Sequence, residues 1–267
     1  LVAEREHHAN LARILQEQTV RVIATTDQAA RRLAEAVADG SFEQADIARY
    51  ANETGLAPRI LTQLSLVGPD GRFRGSNLDP DGRKSGHVDL SSREHVQVHL
   101  APDKAVGAPP VSPGGLFIGK PVLGKVSGKW TIQLTRRIEA ADGRVLGVIV
   151  ASLDPLYFEE IYRGVALGQQ GGVTLVGSDL TVRARVMGGQ SVGMGVTLNV
   201  GAAGSPLLGA GGAYEGGSRV DGVRRLFTYQ QVADFPLYVV VSRSVDESLE
   251  AWRGTRNMGL ALTALLS

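Results

Sequence analysis

The segment from Lys129 to Ile138 carries side chains suited to binding a small charged molecule. Strand alternation places four side chains on one face, Trp130, Ile132, Leu134 and Arg136, and four on the other, Thr131, Gln133, Thr135 and Arg137. A guanidinium that points with apolar side chains needs a carboxylate partner or an anionic ligand, because desolvating an unpaired charge costs several kcal/mol. If the turn at 141–143 sets a hairpin register, Asp154 on the next strand lies roughly opposite Trp130.

One sheet face would then carry an indole, a cation and an anion, which suits a small zwitterion. Arg136 would bind a carboxylate in bidentate fashion, Asp154 an ammonium group, and Trp130 would cover the apolar part or the cation. Arg93 and His95 precede a Pro-rich loop and would close the pocket. The predicted ligand site comprises Arg93, His95, Trp130, Ile132, Leu134, Arg136 and Asp154. An internal Arg136–Asp154 ion pair with Trp130 in the core explains the pattern nearly as well.

Two glycine motifs have the residue spacing of catalytic loops but lack the neighbouring residues and secondary structure that such loops require. Gly114 to Lys120 reads G-x-x-x-x-G-K, but Pro121 and a strand follow where a phosphate loop requires Ser or Thr and a helix. Ser191 lies in G-x-S-x-G, but a nucleophile elbow joins a strand to a helix, whereas this serine lies among glycines without helical periodicity. A flexible loop is the better interpretation of the second motif, and a hydrolase using Ser191 remains a rival hypothesis.

His95 and His99 have the spacing of two metal ligands on one helical face. Val96 and Val98 favour strand-like or mixed geometry there, and no cysteine or acidic motif accompanies the histidines. The sequence therefore predicts no metal and no cofactor. No general base stands beside a nucleophile, so the chain itself is not expected to be an enzyme.

Composition limits the remaining classes of function. The 267 residues have a formal net charge of +1 with interspersed signs, which argues against a nucleic-acid partner. There is no cysteine, so no disulfide can form. The 34 glycines favour a β-rich body with many tight turns.

The elements that must position the candidate site begin with a long helix. From Val2 to Val37 apolar residues recur every three or four positions, and no Pro or Gly interrupts the chain before Gly40. Such a helix spans roughly 50 Å, so it either packs in part against a partner chain or lies along its own domain. A capping box from Ser41 to Gln44 predicts a short second helix through Asn52.

Two nearly alike segments, at 66–71 and 175–180, predict one strand-turn-strand unit used twice. The first unit continues with an antiparallel meander over 116–123, 129–138 and 144–153 and a short helix over 155–165. The second has strands at 173–176 and 181–186, a Gly-rich loop through Gly217, and strands at 224–230 and 237–242. A last helix is predicted from Val245 onward.

Both ends of the chain read as trimmed. Leu1 falls inside a helical pattern, and the apolar run 258–267 has no terminator. This run is shorter than the ~20 residues of a spanning helix. Trp252, Arg253 and Arg256 resemble an interfacial belt and favour the start of a membrane helix over a buried C-terminal segment.

Several segments together resemble the double Cache (tandem PAS-like) extracytoplasmic sensor domain of bacterial transmembrane receptors. They are Gly115 to Pro121, Ser127 to Ile138, Asp142-Gly143, Gly147 to Pro155, Asp179 to Arg185, Val220 to Arg225 and Phe235 to Val241. The resemblance covers nearly the whole chain. In amino-acid-sensing relatives the pocket has a Trp, an Arg and an Asp onto which Trp130, Arg136 and Asp154 fall, but the accompanying tyrosines are not evident beside Gln133 and Thr135.

The resemblance implies an α+β fold, with a long N-terminal helix before two PAS-like antiparallel-sheet modules. The expected divisions are a stalk helix and short second helix at 1–54, a membrane-distal ligand-binding module at 55–167, a membrane-proximal module at 168–244 and a C-terminal helix at 245–267 leading to a second membrane span.

The implied function is small-molecule sensing in the periplasm by a receptor of the inner membrane. The receptor is foremost a sensor histidine kinase of a two-component system, and the alternative is a transmembrane diguanylate cyclase. The ligand would be an amino acid or carboxylate, and the N-terminal helix would form a homodimer. A cytoplasmic kinase or cyclase domain would then complete the full-length protein. A ligand-free dimerisation stalk is the remaining rival.

Overall fold

The computed structural model describes residues 2–199, 207, 209–218 and 221–248, with side chains from residue 5 onward. Helix α1 (Val2–Asp39) runs without interruption and buries one stripe of side chains. The stripe includes Ala12, Leu15, Val22, Ile23, Ala30 and Leu33. Helix α2 (Gln44–Glu53) follows, and the Asp46 carboxylate accepts a hydrogen bond of 2.9 Å from the backbone N–H of Glu43. The N-cap of α2 is therefore Glu43, two residues after the predicted cap at Ser41.

The first sheet has five antiparallel strands in the order β2-β1-β5-β4-β3. Its strands are β1 (Leu61–Val67), β2 (Phe73–Ser76), β3 (Phe117–Leu123), β4 (Trp130–Glu139) and β5 (Val145–Leu153). Helix α3 (Glu94–Leu100) lies between β2 and β3 in the chain. The strand-like geometry expected around His95 and His99 is therefore wrong.

Helix α4 (Pro155–Arg163) leads into a second antiparallel sheet of six strands in the order β8-β7-β6-β11-β10-β9. Its strands are β6 (Gly172–Gly177), β7 (Val182–Met187), β8 (Gln190–Ser191), β9 (Gly211–Gly217), β10 (Arg224–Gln231) and β11 (Leu237–Ser244). Strand β9 falls where a Gly-rich loop was expected. It pairs with β10 along its whole length, and Tyr214 stacks on Phe227 at 4.9 Å between ring centroids.

The two similar segments form equivalent hairpins, β1–β2 and β6–β7. In each turn an aspartate binds an arginine four residues later, Asp70 with Arg74 at 2.8 Å and Asp179 with Arg183 at 2.7 Å. The first pair is about half exposed, whereas Arg183 is fully buried. The predicted repeat of one strand-turn-strand unit is confirmed, with different burial in its two copies.

Helix α1 packs against strands of both sheets, including β4, β5, β10 and β11. One core cluster joins its buried stripe to residues of both sheets. A separate cluster around Phe73, Val96 and Val148 covers the opposite face of the first sheet. The first sheet is therefore buried on both faces, and the predicted α+β fold of a long helix followed by two antiparallel sheets is confirmed.

Within the described ranges, none of the helices is both long enough and apolar enough to span a membrane. The expected membrane helix over 258–267 and most of the helix predicted from Val245 lie outside the described residues.

Candidate ligand site

A cavity lies on the face of the first sheet that is turned away from α1. Its volume is about 410 Å³, part of which is open to solvent. Its floor carries four polar side chains from three neighbouring strands, Gln63 and Ser65 of β1, Gln133 of β4 and Ser152 of β5. All four are at least nine-tenths buried. The sheet thus presents polar groups to a cavity that is partly open to solvent.

Two of the four floor side chains, Gln133 and Ser152, are hydrogen-bonded to each other. The Ser152 hydroxyl donates to Oε1 of Gln133 at 2.8 Å, and Nε2 of Gln133 donates to the Thr131 hydroxyl at 2.7 Å. The Nε2 group of Gln63 is buried without a hydrogen-bond partner. Buried amide donors are normally paired, because an unpaired one costs about 1–3 kcal/mol. Gln63 therefore places a buried, unpaired donor in the wall of the cavity.

Helix α3 brings Arg93 and His95 to the same cavity. Arg93 is the N-cap residue of α3, and its guanidinium donates to the backbone carbonyl of Leu123 at 3.1 Å. Burial lowers the pKa of His95 to about 3, with a further contribution from the positive charge of Arg93. The imidazole is therefore neutral near pH 7 and offers one donor and one acceptor.

The second histidine of α3 fixes the helix to the sheet. His99 is buried, and its Nε2 lies 2.8 Å from the Thr135 hydroxyl of β4. Burial lowers the pKa of His99 to about 4. The two histidines lie on the buried side of one short helix, but within the described residues no group of three or more His, Asp or Glu side chains could hold a metal ion.

The other five predicted ligand residues do not line this cavity. Ile132 and Leu134 point to the opposite face of β4 and pack in the core that includes α1. Arg136 also lies on that face, where its guanidinium binds the Asp27 carboxylate of α1 and the carbonyl of Gly114. The predicted juxtaposition of Arg136 with Asp154 is therefore wrong, because the helix that covers this face supplies a closer carboxylate.

Trp130 and Asp154 lie apart from both the cavity and Arg136. Trp130 is 51% exposed at the first position of β4, where it pairs with the similarly exposed Leu123. Asp154 is the N-cap of α4 and accepts a hydrogen bond of 2.9 Å from the backbone N–H of Leu156. A ligand-binding role for these residues stays a prediction, and the cavity brings together only Arg93 and His95 of the seven.

The sequence interpretation missed the four polar residues of the cavity floor. The alternation of β4 did place Gln133 on a face of its own, together with Thr131 and Thr135. All three residues are buried, so this face lines the protein interior and not the solvent. Polar residues within otherwise apolar strands, such as Gln63 and Ser65 between leucines, were the available signal.

The two glycine motifs have ordinary structural surroundings. Lys120 lies on β3 and binds Glu94 at 3.2 Å. The Ser191 hydroxyl accepts a hydrogen bond from the guanidinium of Arg163. A guanidinium stays protonated and cannot remove a proton from a serine hydroxyl. This contact therefore gives Ser191 no general base.

No model of a known protein family matches the chain, and no curated protein sequence matches it significantly. Solved structures do match along nearly its whole length. The extracellular domain of rpHK1S-Z16, a protein assigned as a histidine kinase, is 22% identical with a TM-score of 0.75, over 94% of this chain and 98% of that one.

Two chemoreceptor domains from Pseudomonas match at lower similarity. The ligand-binding domain of the amino acid chemoreceptor PctC of Pseudomonas aeruginosa, in complex with GABA, is 18% identical with a TM-score of 0.61, over 90% of this chain and 100% of that one. The ligand-binding domain of CtaA of Pseudomonas fluorescens, in complex with L-serine, is 15% identical with a TM-score of 0.64, over 91% and 98%. The chain therefore has the double Cache fold of extracellular sensor domains.

Proposed function

We propose that this chain is the extracytoplasmic ligand-sensing domain of a membrane signalling receptor, foremost a sensor histidine kinase, and that its ligand binds in the cavity between α3 and the first sheet. The observation that carries the proposal is the position of β4. Gln133 lines the cavity on one face of this strand, while Leu134 and Arg136 hold α1 on the other.

This arrangement provides a route from ligand to helix. A ligand that contacts Gln133 or the α3 residues acts on the strand to which α1 is bound. Signalling requires the ligand to bind one arrangement of strand and helix better than another, by about 1–3 kcal/mol for useful coupling. The same long helix contacts the second sheet, so a shift in its position is communicated to both modules.

The remaining parts of the proposal concern the full-length receptor. The domain would lie in the periplasm, joined to flanking membrane spans, with a kinase as the output domain. A diguanylate cyclase or a chemotaxis output is compatible with the same sensor fold. The proposed homodimer would use α1, although its apolar stripe packs on its own sheets and Ile14 is the large apolar side chain of its described part that is exposed.

The proposal is tested by thermal unfolding of this chain against a broad set of small metabolites, with native mass spectrometry for any co-purified ligand. At least one compound is expected to raise the melting temperature by several degrees. Ser65→Val, which adds methyl groups to the cavity floor, is expected to reduce that shift. Ser178→Val, in an exposed turn of the second unit, is expected to leave it unchanged.

Two results would contradict the proposal. If no compound stabilises the chain, the result favours the rival hypothesis of a ligand-free dimerisation stalk. If a stabilising compound is insensitive to Ser65→Val, its site lies elsewhere. A chromogenic ester assay tests the hydrolase hypothesis separately, and equal rates for the unmodified chain and Ser191→Ala would exclude Ser191 as nucleophile.

A further inference from the structure

We infer that the cavity binds a small organic acid without an ammonium group, such as a hydroxy acid, rather than an amino acid. This inference rests on the proposed function, because it assumes that the cavity is the ligand site. It follows from the charges, the hydrogen-bonding groups and the size of the cavity.

The charge at the cavity is positive. Arg93 and Lys125 both line it, and no Asp or Glu is among its lining residues, all of which fall within the described range 2–199. Lys125 donates to the backbone carbonyl of Asp89 at 2.8 Å and lies near the carboxylate of that residue, which offsets part of its charge. Within the described chain Arg93 has no carboxylate within ion-pair distance. An anion is therefore the ligand charge that the cavity favours.

The acids on the flanking segments are already engaged by other groups of the protein. Glu94, next to Arg93, binds Lys120 at 3.2 Å. The Asp89 carboxylate accepts a hydrogen bond of 2.8 Å from the backbone N–H of Ser91. Neither carboxylate therefore provides a site for an ammonium group inside the cavity.

The hydrogen-bonding groups also favour a ligand rich in acceptors. The buried Nε2 of Gln63 is an unused donor, and the Arg93 guanidinium has five N–H groups, of which one contacts Leu123. The side-chain oxygen of Gln133 already accepts from Ser152. Carboxylate and hydroxyl oxygens can accept from the unused donors.

An α-amino acid would bring an ammonium group with three donors and no acceptor into the same space. Burying that charge without a carboxylate partner is costly, and the nearby guanidinium adds repulsion. The fifteen lining residues leave a narrow accessible space, which favours an acid of few heavy atoms.

The test uses matched pairs of compounds in which the ammonium group of an amino acid is replaced by hydroxyl: glycine with glycolate, L-alanine with L-lactate and L-aspartate with L-malate. Affinity is measured by calorimetry on the whole chain, with thermal unfolding as a second readout. In at least one pair the hydroxy acid is expected to bind more than about tenfold tighter than the amino acid, a difference of about 1.4 kcal/mol.

Two variants test whether the hydroxy acid binds to the unpaired donors of Gln63 and Arg93. Gln63→Leu preserves side-chain size and removes the unpaired amide, and Arg93→Gln removes the unpaired charge. Each is expected to weaken the hydroxy acid at least about tenfold. Lys129→Gln removes a positive charge from an exposed position near the same end of the sheet and is expected to change affinity less than about twofold.

The outcomes separate the inference from the proposed function. Tighter binding of an amino acid that is weakened by Arg93→Gln would overturn the inference while keeping the cavity as a ligand site. Specific stabilisation by a neutral or cationic compound alone would also overturn it. Absence of binding by any compound would overturn both, and hydroxy-acid binding that is insensitive to Gln63→Leu and Arg93→Gln would exclude this cavity.

Discussion

The guanidinium of Arg136 on β4 forms a two-pronged ion pair with the carboxylate of Asp27 on α1. The exposed fractions of the two residues are only 9% and 8%. Nη2 of Arg136 lies 2.9 Å from one carboxylate oxygen, and Nε contacts the other. Arg31, half exposed on α1, also binds Asp27 at 3.0 Å. The pair ties the long helix to the strand whose opposite face lines the cavity.

Replacing Arg136 with Met is expected to lower the free energy of unfolding by about 3 kcal/mol, because the buried Asp27 carboxylate loses its closest partner. Urea denaturation of the chain without added ligand measures the effect. Arg137→Met, which removes an about half-exposed guanidinium that binds Glu139, is the matched control and is expected to cost less than about 1 kcal/mol.

The double variant Asp27→Leu/Arg136→Met is expected to recover much of the lost stability, because no unpaired charge then remains buried. A loss for Arg136→Met no larger than that for Arg137→Met would show that the ion pair does not hold the helix to the sheet.

The N-cap of α4 provides a second prediction. Asp154→Ala removes the acceptor for the backbone N–H of Leu156 and is expected to cost about 1 kcal/mol of unfolding free energy. Asp154→Ser retains a capping oxygen and is expected to be nearly neutral. Ligand affinity is expected to be equal in both variants, since Asp154 does not line the cavity. A selective loss of binding in Asp154→Ala would instead favour the ammonium-binding role inferred from sequence.

The buried histidines of α3 make stability depend on pH. In the folded chain their pKa values are lowered to about 3 for His95 and about 4 for His99, mainly by burial. In the unfolded chain both have ordinary values near 6.5, so the unfolded state binds more protons as the pH falls. Their contribution is therefore fully present above pH 6.5 and is lost progressively toward pH 4 for His99 and pH 3 for His95.

Each histidine is expected to lower the unfolding free energy by up to about 1.4 kcal/mol per pH unit in that interval. Urea denaturation at several pH values between 7 and 4.5 measures the slope. His95→Gln and His99→Gln should each flatten it relative to the unmodified chain. Equal stability of the unmodified chain at pH 7 and pH 5 would contradict this prediction.

The strands of the first sheet were predictable because they are rich in apolar and β-branched residues, and because two of their turns contain Asp-Gly, at 70–71 and 142–143. Helix α3 was missed because seven residues are too few to establish a helical period. Its contacts with the sheet, such as the one between His99 and Thr135, are tertiary. Strand β9 was missed because its glycines favour turns, while its pairing with β10 depends on residues beyond the local sequence.

The candidate site also depends on tertiary contacts that the local sequence does not reveal. Alternation within β4 predicted that Arg136 is buried and needs a carboxylate partner or an anionic ligand, but the carboxylate that it binds lies 109 positions away in the chain. The choice of face also failed for a physical reason. When both faces of a sheet are covered, polar side chains such as Gln133 and Thr135 are buried too, and polarity no longer marks the solvent side. Only the packing of α1 and α3 identifies which face encloses a cavity.

Gly147 on β5 lies where two strands approach too closely for a side chain. A Cβ atom there would be 2.2 Å from the backbone carbonyl oxygen of Val67, and this backbone cannot move without disrupting the β1–β5 pairing. Gly147→Ala is therefore expected to cost more than about 3 kcal/mol of unfolding free energy, within the range of severe steric changes.

Gly143→Ala is the matched control, because this turn residue has a φ of +83° with nothing within 4 Å of an added Cβ. It is expected to lose only the ~1–2 kcal/mol of left-handed backbone strain. Urea denaturation compares the two, and equal losses would mean that backbone conformation, not the contact with Val67, requires glycine at position 147.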